Sequence, residues 1–428
     1  MENAPKPLTA AAPPSGGVFY GWWIVSASLF VQFVTAGTTF YAYGVLLKPL
    51  SEDLGVSRFA VGSALSMLML VGAIAGPLIG REVDRRGARH LMLLGAALMS
   101  AGFLAFSRIE GVLGLYITFG GFVALGAALL GPITNTALVT NWFQKARGIA
   151  LGISQIGISL SGMVMAFVAT WLVAEYGWRG AILSFSAVPL VLMAPVIAVV
   201  VVNRPEDRGL WPDGLVPDGL APTQEAALPA PPLAESGSLR EALRERDLWL
   251  LALLVGLNFG GSGSVIQVIH SHATDLGYSA ARAASVLASM AGAAALGKPF
   301  FGIIADRLSP RMAMGGCIGC QVVGLVSILL APGYAALLCA SLVFGLGCGG
   351  LIPLFGLLTV ARFGAARLGR MMGAMLLVML PFQLLGLPFA TAVFDRTGSY
   401  APAFVTFLGL YATAIVVLSR LPSGPAEE

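Results

Sequence analysis

A short charged segment occurs twice in this chain, each time between long apolar stretches. Gly80-Arg81-Glu82-Val83-Asp84-Arg85-Arg86-Gly87-Ala88-Arg89 is echoed by Gly302-Ile303-Ile304-Ala305-Asp306-Arg307-Leu308-Ser309-Pro310-Arg311. Pro77 and Pro299, Gly80 and Gly302, Asp84 and Asp306, Arg85 and Arg307, and Arg89 and Arg311 all fall 222 residues apart. A charged hairpin repeated at half the chain length implies two homologous halves, each built around the same membrane-embedded unit.

Composition fixes the solvent. Hydrophobic residues make up 57% of the chain and charged residues 11%, and the mean hydropathy is +0.85, values outside the range of soluble domains. In lipid every backbone polar group must bond internally, so the choice lies between helices and a closed barrel. Runs such as Leu91–Ser107 and Ala181–Val202 are continuous rather than alternating, which selects helices of about 20 residues. Twelve spans are expected, at 21–47, 59–80, 90–107, 112–141, 148–174, 180–202, 247–272, 282–305, 311–331, 332–361, 369–394 and 400–420. The first run is too long for a cleaved signal peptide and lacks a small-residue cleavage site, so it is expected to stay as helix one.

These spans divide the chain into a tail at 1–19, a six-helix bundle at 20–202, a linker at 203–246, a second six-helix bundle at 247–420 and a tail at 421–428. Of the 25 Lys and Arg, 18 fall on the tails and one set of connections, six on the opposite side, and Lys298 inside a span. The positive-inside rule then puts both termini in the cytoplasm. The net charge of +4 describes topology and is no nucleic-acid footprint. A bacterial inner membrane is the expected location. Within the linker, Trp211-Pro-Asp-Gly-Leu is followed by Val216-Pro-Asp-Gly-Leu, and Ser238-Leu239-Arg240-Glu241 reads as a capping box opening a short amphipathic helix. Such a segment is expected to act as a flexible tether between the bundles.

An ionisable residue inside the membrane is costly and marks function. None of the 21 Asp and Glu lies mid-span, and Lys298 is the one basic residue well inside one. It precedes Asp306 by eight residues, about 12 Å of helix against a core half-thickness of about 15 Å. The matching position in the first repeat is Gly76, so the scaffold itself does not require a cation there. Lys298 is read as an anion anchor, against the alternative of a lysine that snorkels to the interface. Neutral polar residues complete the candidate site: Asn135 after the Gly131-Pro132 kink, Thr38, Thr39, Tyr41 and Tyr43 in helix one, Asn258 and Gln267 in helix seven, and Gln383 in helix eleven. Clustered Gly260, Gly261 and Gly263 suggest local unwinding of helix seven. His270 and Lys298 are the groups that could carry a proton. No nucleophile–base pair or metal-ligand set is present; Cys317 and Cys320 sit within an apolar helix and are read as packing residues, so no enzyme, metal or cofactor is expected.

The repeated hairpin resembles the helix two–three loop of the major facilitator superfamily, Gly-x-x-x-Asp-Arg/Lys-x-Gly-x-Arg/Lys. Residues 80–89 match that pattern, and the second copy departs from it at Ser309. The resemblance implies an all-α polytopic membrane protein of twelve helices in two pseudo-symmetric bundles. It also implies a gating clasp from Asp84, Arg85 and Arg89, Asp306, Arg307 and Arg311, with Lys145 and Arg147 at the cytoplasmic entrance.

Trp142-Phe143-Gln144-Lys145-Ala146-Arg147-Gly148-Ile149-Ala150-Leu151-Gly152, running on to Gly157, is similar to the helix-five signature of the monocarboxylate and oxalate/formate carriers. Gly148, Gly152, Gly157 and Gly162 would thin one face of that helix for close packing. Tyr20-Gly21-Trp22-Trp23 is similar to that group's aromatic helix-one start but lacks its acidic residue. Those carriers hold a cation in helix eight, usually Arg, where Lys298 falls, and an Asn where Asn135 falls. Tyr41 stands where many of them have a helix-one lysine. The implied function is secondary transport of a small organic anion, a monocarboxylate first, by alternating access with proton symport or anion exchange. The partners are the anion, the bilayer and protons, with a monomer as the expected state. An exporter of apolar or drug-like solutes, and a carrier-shaped sensor that moves nothing, are the competing readings.

Overall fold

The computed structural model describes residues 18–144, 146–214, 241, 243–364 and 367–421. Among these, regular structure is helical throughout. The first bundle holds α1 (Gly21–Leu54), α2 (Arg58–Arg86), α3 (Ala88–Phe106) and α4 (Val112–Trp142). The stretch Arg147–Val200 follows, 54 residues long, about 80 Å if straight and too long for one crossing. It reverses at Gly177, whose φ of 66° is a left-handed conformation that glycine adopts without a side-chain clash. We therefore divide it into α5 (147–176) and α6 (178–200). The second bundle holds α7 (Arg246–Asp275), α8 (Ala280–Arg307), α9 (Pro310–Leu330) and α10 (Tyr334–Phe363), then α11 (Leu368–Thr397) and α12 (Ala401–Arg420). Twelve crossings result, as the apolar runs predict.

The repeat reaches further than the charged hairpin. Asp53-Leu54-Gly55-Val56-Ser57 recurs as Asp275-Leu276-Gly277-Tyr278-Ser279. In both copies the glycine takes a positive φ, 61° at Gly55 and 87° at Gly277. The serine then caps the next helix: Ser57 accepts from the Ala60 N–H and Ser279 from the Arg282 N–H. Each cap satisfies a donor the first helical turn leaves unpaired. At the other end of the repeat, Arg89 donates to Ala198 O at the end of α6. Its counterpart Arg311 donates to Ser419 O and Leu421 O at the end of α12.

Two helix pairs join the bundles, α2 along α11 and α5 along α8, with α1 meeting α7. Small residues permit the approach, as expected where lipid supplies no hydrophobic drive between helices. A Cβ added at Gly62 would lie 2.8 Å from Thr391 Oγ1 of α11, and one at Gly162 would lie 2.7 Å from Ala291 Cβ of α8.

The expectations for two glycine runs need correction. Gly260 and Gly261 lie in an unbroken α7, where they admit Phe382 of α11 and Tyr411 of α12. They serve packing, not unwinding. On α5, Gly157 and Gly162 face neighbours, whereas a Cβ added at Gly148 or Gly152 would meet nothing within 4 Å.

The linker is anchored where it begins. Asn203 accepts from the Arg89 N–H, and Arg208 lies 3.8 Å over the Tyr20 ring. The Asp213 carboxylate accepts from the Gln144 and Ala146 N–H groups at 2.9 and 3.2 Å. The second Pro-Asp-Gly and most of the expected Ser238–Glu241 capping box lie outside the described residues.

Candidate functional site

Between the bundles, the polar groups fall into a central group and a latch at the face opposite the termini. The central group begins at the break in α4. Gly131 is extended, with Pro132 starting the next turn, so the carbonyls before it lose their helical donors. The Asn135 amide folds back across the break, donating to Leu130 O at 2.6 Å and, at 2.9 Å, to Gly131 O, which also accepts the Asn135 backbone N–H. Its oxygen accepts from Ser28 Oγ of α1 at 2.8 Å. One turn on, Gln32 donates to Ser154 O of α5 at 3.0 Å.

Lys298 approaches the same turn of α5 from the other bundle. It is partly buried, and its ammonium donates to Gln155 O at 3.4 Å, a long hydrogen bond to a helical carbonyl. The neighbouring Gly297 faces α10, where a Cβ would meet Gly349, so the lysine projects toward α5. The carbonyls of Ser154 and Gln155 thus receive one donor from each bundle. Gln32 Oε1 and Thr35 Oγ1 of α1 and Thr134 Oγ1 of α4 are buried without a partner among the described residues. Unpaired buried oxygens on the helices that carry this group leave hydrogen-bonding capacity unused. Gln32, Ser28 and Ser154 were not singled out from the sequence; a glutamine in mid-span of helix one was the available signal.

The other predicted site residues are dispersed. Thr38 and Thr39 turn their hydroxyls back onto Val34 O and Thr35 O, at 2.8 and 2.6 Å, around a π-helical turn at Gly37–Tyr41. The Tyr41 ring is buried against Gly162 of α5. Tyr43 is bound to Val61 O within its own bundle, and Gln383 is half-buried on α11. Asn258 shares the face of α7 that carries Gly261 and Ser262, turned toward Tyr411 of α12 and Gln321 of α9. It therefore looks into its own bundle, and neither end of its amide has a partner. Gln267 crosses to α1, donating to Phe40 O at 3.0 Å. His270 approaches Thr170 Oγ1 of α5 at 3.4 Å, its Nδ1 unpaired.

The latch closes the face opposite the termini. Arg58, at the start of α2, is buried and directs both terminal nitrogens at Asp275 of α7, one of them at 3.0 Å. Lys48 of α1 adds a third bond to the same carboxylate at 2.9 Å. The Arg58 guanidinium lies 3.8 Å over Phe394 and donates to Tyr400 Oη at 2.9 Å. Burial pushes the Tyr400 hydroxyl up to about 12, so it stays protonated and accepts this bond as a neutral group. Asp395 caps α2 from the other bundle, accepting from the Arg58 and Phe59 N–H groups at 2.9 and 2.8 Å.

The terminal face is built differently. Its ion pairs Glu82–Arg86, Asp247–Arg362 and Glu245–Arg367 each lie within one bundle. Asp84, Arg85, Asp306 and Arg307 are exposed, and none of them forms an ion pair with a described residue. Of the clasp predicted from the repeated hairpin, Arg89 and Arg311 instead tie down helix ends. Arg147 starts α5, and Lys145 lies outside the described residues. Nearby, the helix-one start and the helix-five signature pack on each other: Trp142 lies 5.4 Å from Tyr20 and Phe143 lies 5.1 Å from Trp22, ring to ring.

The sequence profile of the Major Facilitator Superfamily matches residues 29–293 and 248–428. The chain belongs to this superfamily. As such it is a multi-pass integral membrane transporter and not an enzyme. It is 30% identical over 431 residues to mouse monocarboxylate transporter 11, covering 98% of this chain and 90% of the relative. It is 26% identical over 438 residues to rat monocarboxylate transporter 2, covering 97% and 84%. Among solved structures it resembles a bacterial homolog of the human lysosomal transporter Spinster in an inward-facing, unoccupied conformation. That match has a TM-score of 0.71 at 16% identity and covers 95% of each chain. The names of the two mammalian relatives agree with the monocarboxylate resemblance read from helices one and five.

Proposed function

We propose that this superfamily member is a secondary carrier of a small organic anion, a monocarboxylate first, working by alternating access with proton symport or anion exchange. The observation that carries this reading is the placement of Lys298. A cation well inside a span costs about 2.5–3.5 kcal/mol on insertion scales, and here its described hydrogen bonding is one long contact to a backbone carbonyl. A bound carboxylate would neutralise it, and the buried, unpaired hydroxyls of Thr35 and Thr134 offer further donors. The names of the relatives support the same substrate class. With both termini cytoplasmic, the latched face is the outer one, and this arrangement of the bundles is the inward-open state of the cycle.

Thermal stabilisation of the purified carrier tests the reading, over mono-, di- and tricarboxylates, amino acids and apolar drugs, with Lys298→Ala alongside. Ligand that binds only the folded state raises its apparent stability. A shift with monocarboxylates that is lost in the variant is expected. A shift confined to neutral or cationic compounds, or a carboxylate shift indifferent to Lys298, would overturn it.

A further inference from the structure

Arg58 and Lys48 belong to the N-terminal bundle, and the side-chain partners shown for them come from the other one: Asp275, Phe394 and Tyr400. The Asp275 carboxylate is held as an incoming carboxylate would be. Both of its oxygens face the guanidinium fork, and an ammonium adds a third donor to one of them. This is the planar two-point recognition for which arginine is suited and lysine alone is not. When the bundles part at this face, Asp275 leaves with α7 and the fork stays with α2. Within its own bundle, Asp53 is already engaged by Arg179, and Glu52, one turn beyond Lys48, is exposed.

We propose that Lys48 and Arg58 form an entry-side carboxylate site, filled in this structure by Asp275 and offered to the transported anion once this face opens. It lies at the far end of the bundle interface from Lys298, and its substrate class rests on the anion-carrier reading above. Chemically, the carrier would exchange an internal carboxylate for an external one at the moment of opening. The anion would then be captured before it reaches the central lysine.

The test is chemical rescue in the full-length carrier. In a Lys298→Ala background, so that the central site is silent, Asp275→Ala removes the internal carboxylate and leaves room for formate or acetate. Those anions are expected to give a saturable rise in melting temperature, absent in Lys298→Ala alone and lost on adding Arg58→Gln. No rise, an equal rise with chloride, or a rise that survives Arg58→Gln would overturn the site. Should Asp275→Ala not fold, Lys48→Gln serves, because it leaves the Arg58–Asp275 pair in place. In oriented vesicles it should raise KM at least about threefold for carboxylate presented at the latched face, the size of a modest loss of charge assistance, and leave KM from the terminal face unchanged. Equal changes from both faces, or a change in kcat alone, would reject the proposal. Failure of the Lys298 reading is seen separately, as a carboxylate shift that Lys298→Ala does not touch.

Discussion

Asp53 and Asp275 stand at the same position of the two repeats, and only Asp275 reaches across to the other bundle. Asp53 pairs with Arg179, at the turn where α5 passes into the start of α6 in its own bundle. That turn reads Gly177-Trp178-Arg179, and its counterpart between α11 and α12 reads Gly398-Ser399-Tyr400. The second turn carries no arginine, and Asp275 takes Arg58 from across the interface. The same aspartate is thus a bundle-internal tie in one repeat and a latch between bundles in the other.

The two ties should respond differently to the same change. Arg58→Gln removes hydrogen bonds between charged groups that are largely shielded, worth about 1.5–3 kcal/mol. The equilibrium should move toward opening at the latched face by about 10- to 150-fold. Arg179→Gln removes a solvent-screened pair that lies within one bundle, and should leave the equilibrium in place. Pulsed electron paramagnetic resonance distances across that face would check both. An Arg58→Gln distribution identical to wild type would mean the latch does not set the resting state.

Asn135 and Gln32 separate support from binding. Asn135 supplies a donor to Leu130 O at the Gly131–Pro132 break and an acceptor to Ser28 Oγ, so Asn135→Ala should destabilise the empty carrier by about 1–3 kcal/mol, the cost of unpaired buried groups. Gln32 carries an unpaired buried oxygen already, and Gln32→Leu should leave the empty protein near its original melting temperature while weakening the carboxylate shift. Melting curves with and without ligand distinguish the two patterns.

These residues also show what the sequence makes legible. Long apolar runs and the charged repeat specify twelve helices in two halves, because lipid leaves the backbone few options. Lys298 is legible for the same reason, since a cation in mid-span has to be accounted for. The repeated Asp-Leu-Gly-Val/Tyr-Ser segment is equally visible, but its consequence is not. Whether an aspartate ties its own bundle or the other depends on a residue more than 100 positions away and on which bundle ends meet. The clasp expected at Asp84 and Asp306 depends likewise on which bundle ends meet: its partners would have to come together at the terminal face, where the ion pairs found among the described residues stay within single bundles. Asn258 was chosen by residue type, and only the phase of α7 shows that it turns inward.

That phase yields a further prediction. Asn258 is fully buried with both amide atoms unpaired, and a buried amide without partners costs about 1–3 kcal/mol in proteins. Leucine fills a similar volume without polar atoms. Asn258→Leu should therefore hold or raise the melting temperature and keep the carboxylate shift. A lower melting temperature would reveal partners supplied by ordered water, and loss of the shift would return Asn258 to the ligand site.

Gly62 lies one helical turn beyond Arg58 on α2, facing Thr391 and Leu387 of α11. A Cβ there would sit 2.8 Å from Thr391 Oγ1 and 3.1 Å from its Cγ2. Thr391 cannot easily turn aside, because its hydroxyl is bound to Leu387 O and Pro388 O at 2.9 and 3.0 Å. Gly62→Val should therefore act as a wedge, and overpacking of this kind costs about 1–3 kcal/mol. The cost falls only on the state in which α2 and α11 touch at this level. The same separation that relieves the clash also pulls Arg58 from Asp275, so Gly62→Val and Arg58→Gln should each favour opening and together do less than the sum of the two. A single cysteine placed in the α2–α11 seam would report this as faster labelling by a membrane-impermeant thiol reagent applied to the latched face. Unchanged labelling in Gly62→Val would show that α11 yields locally, and that this seam does not govern access to the central site.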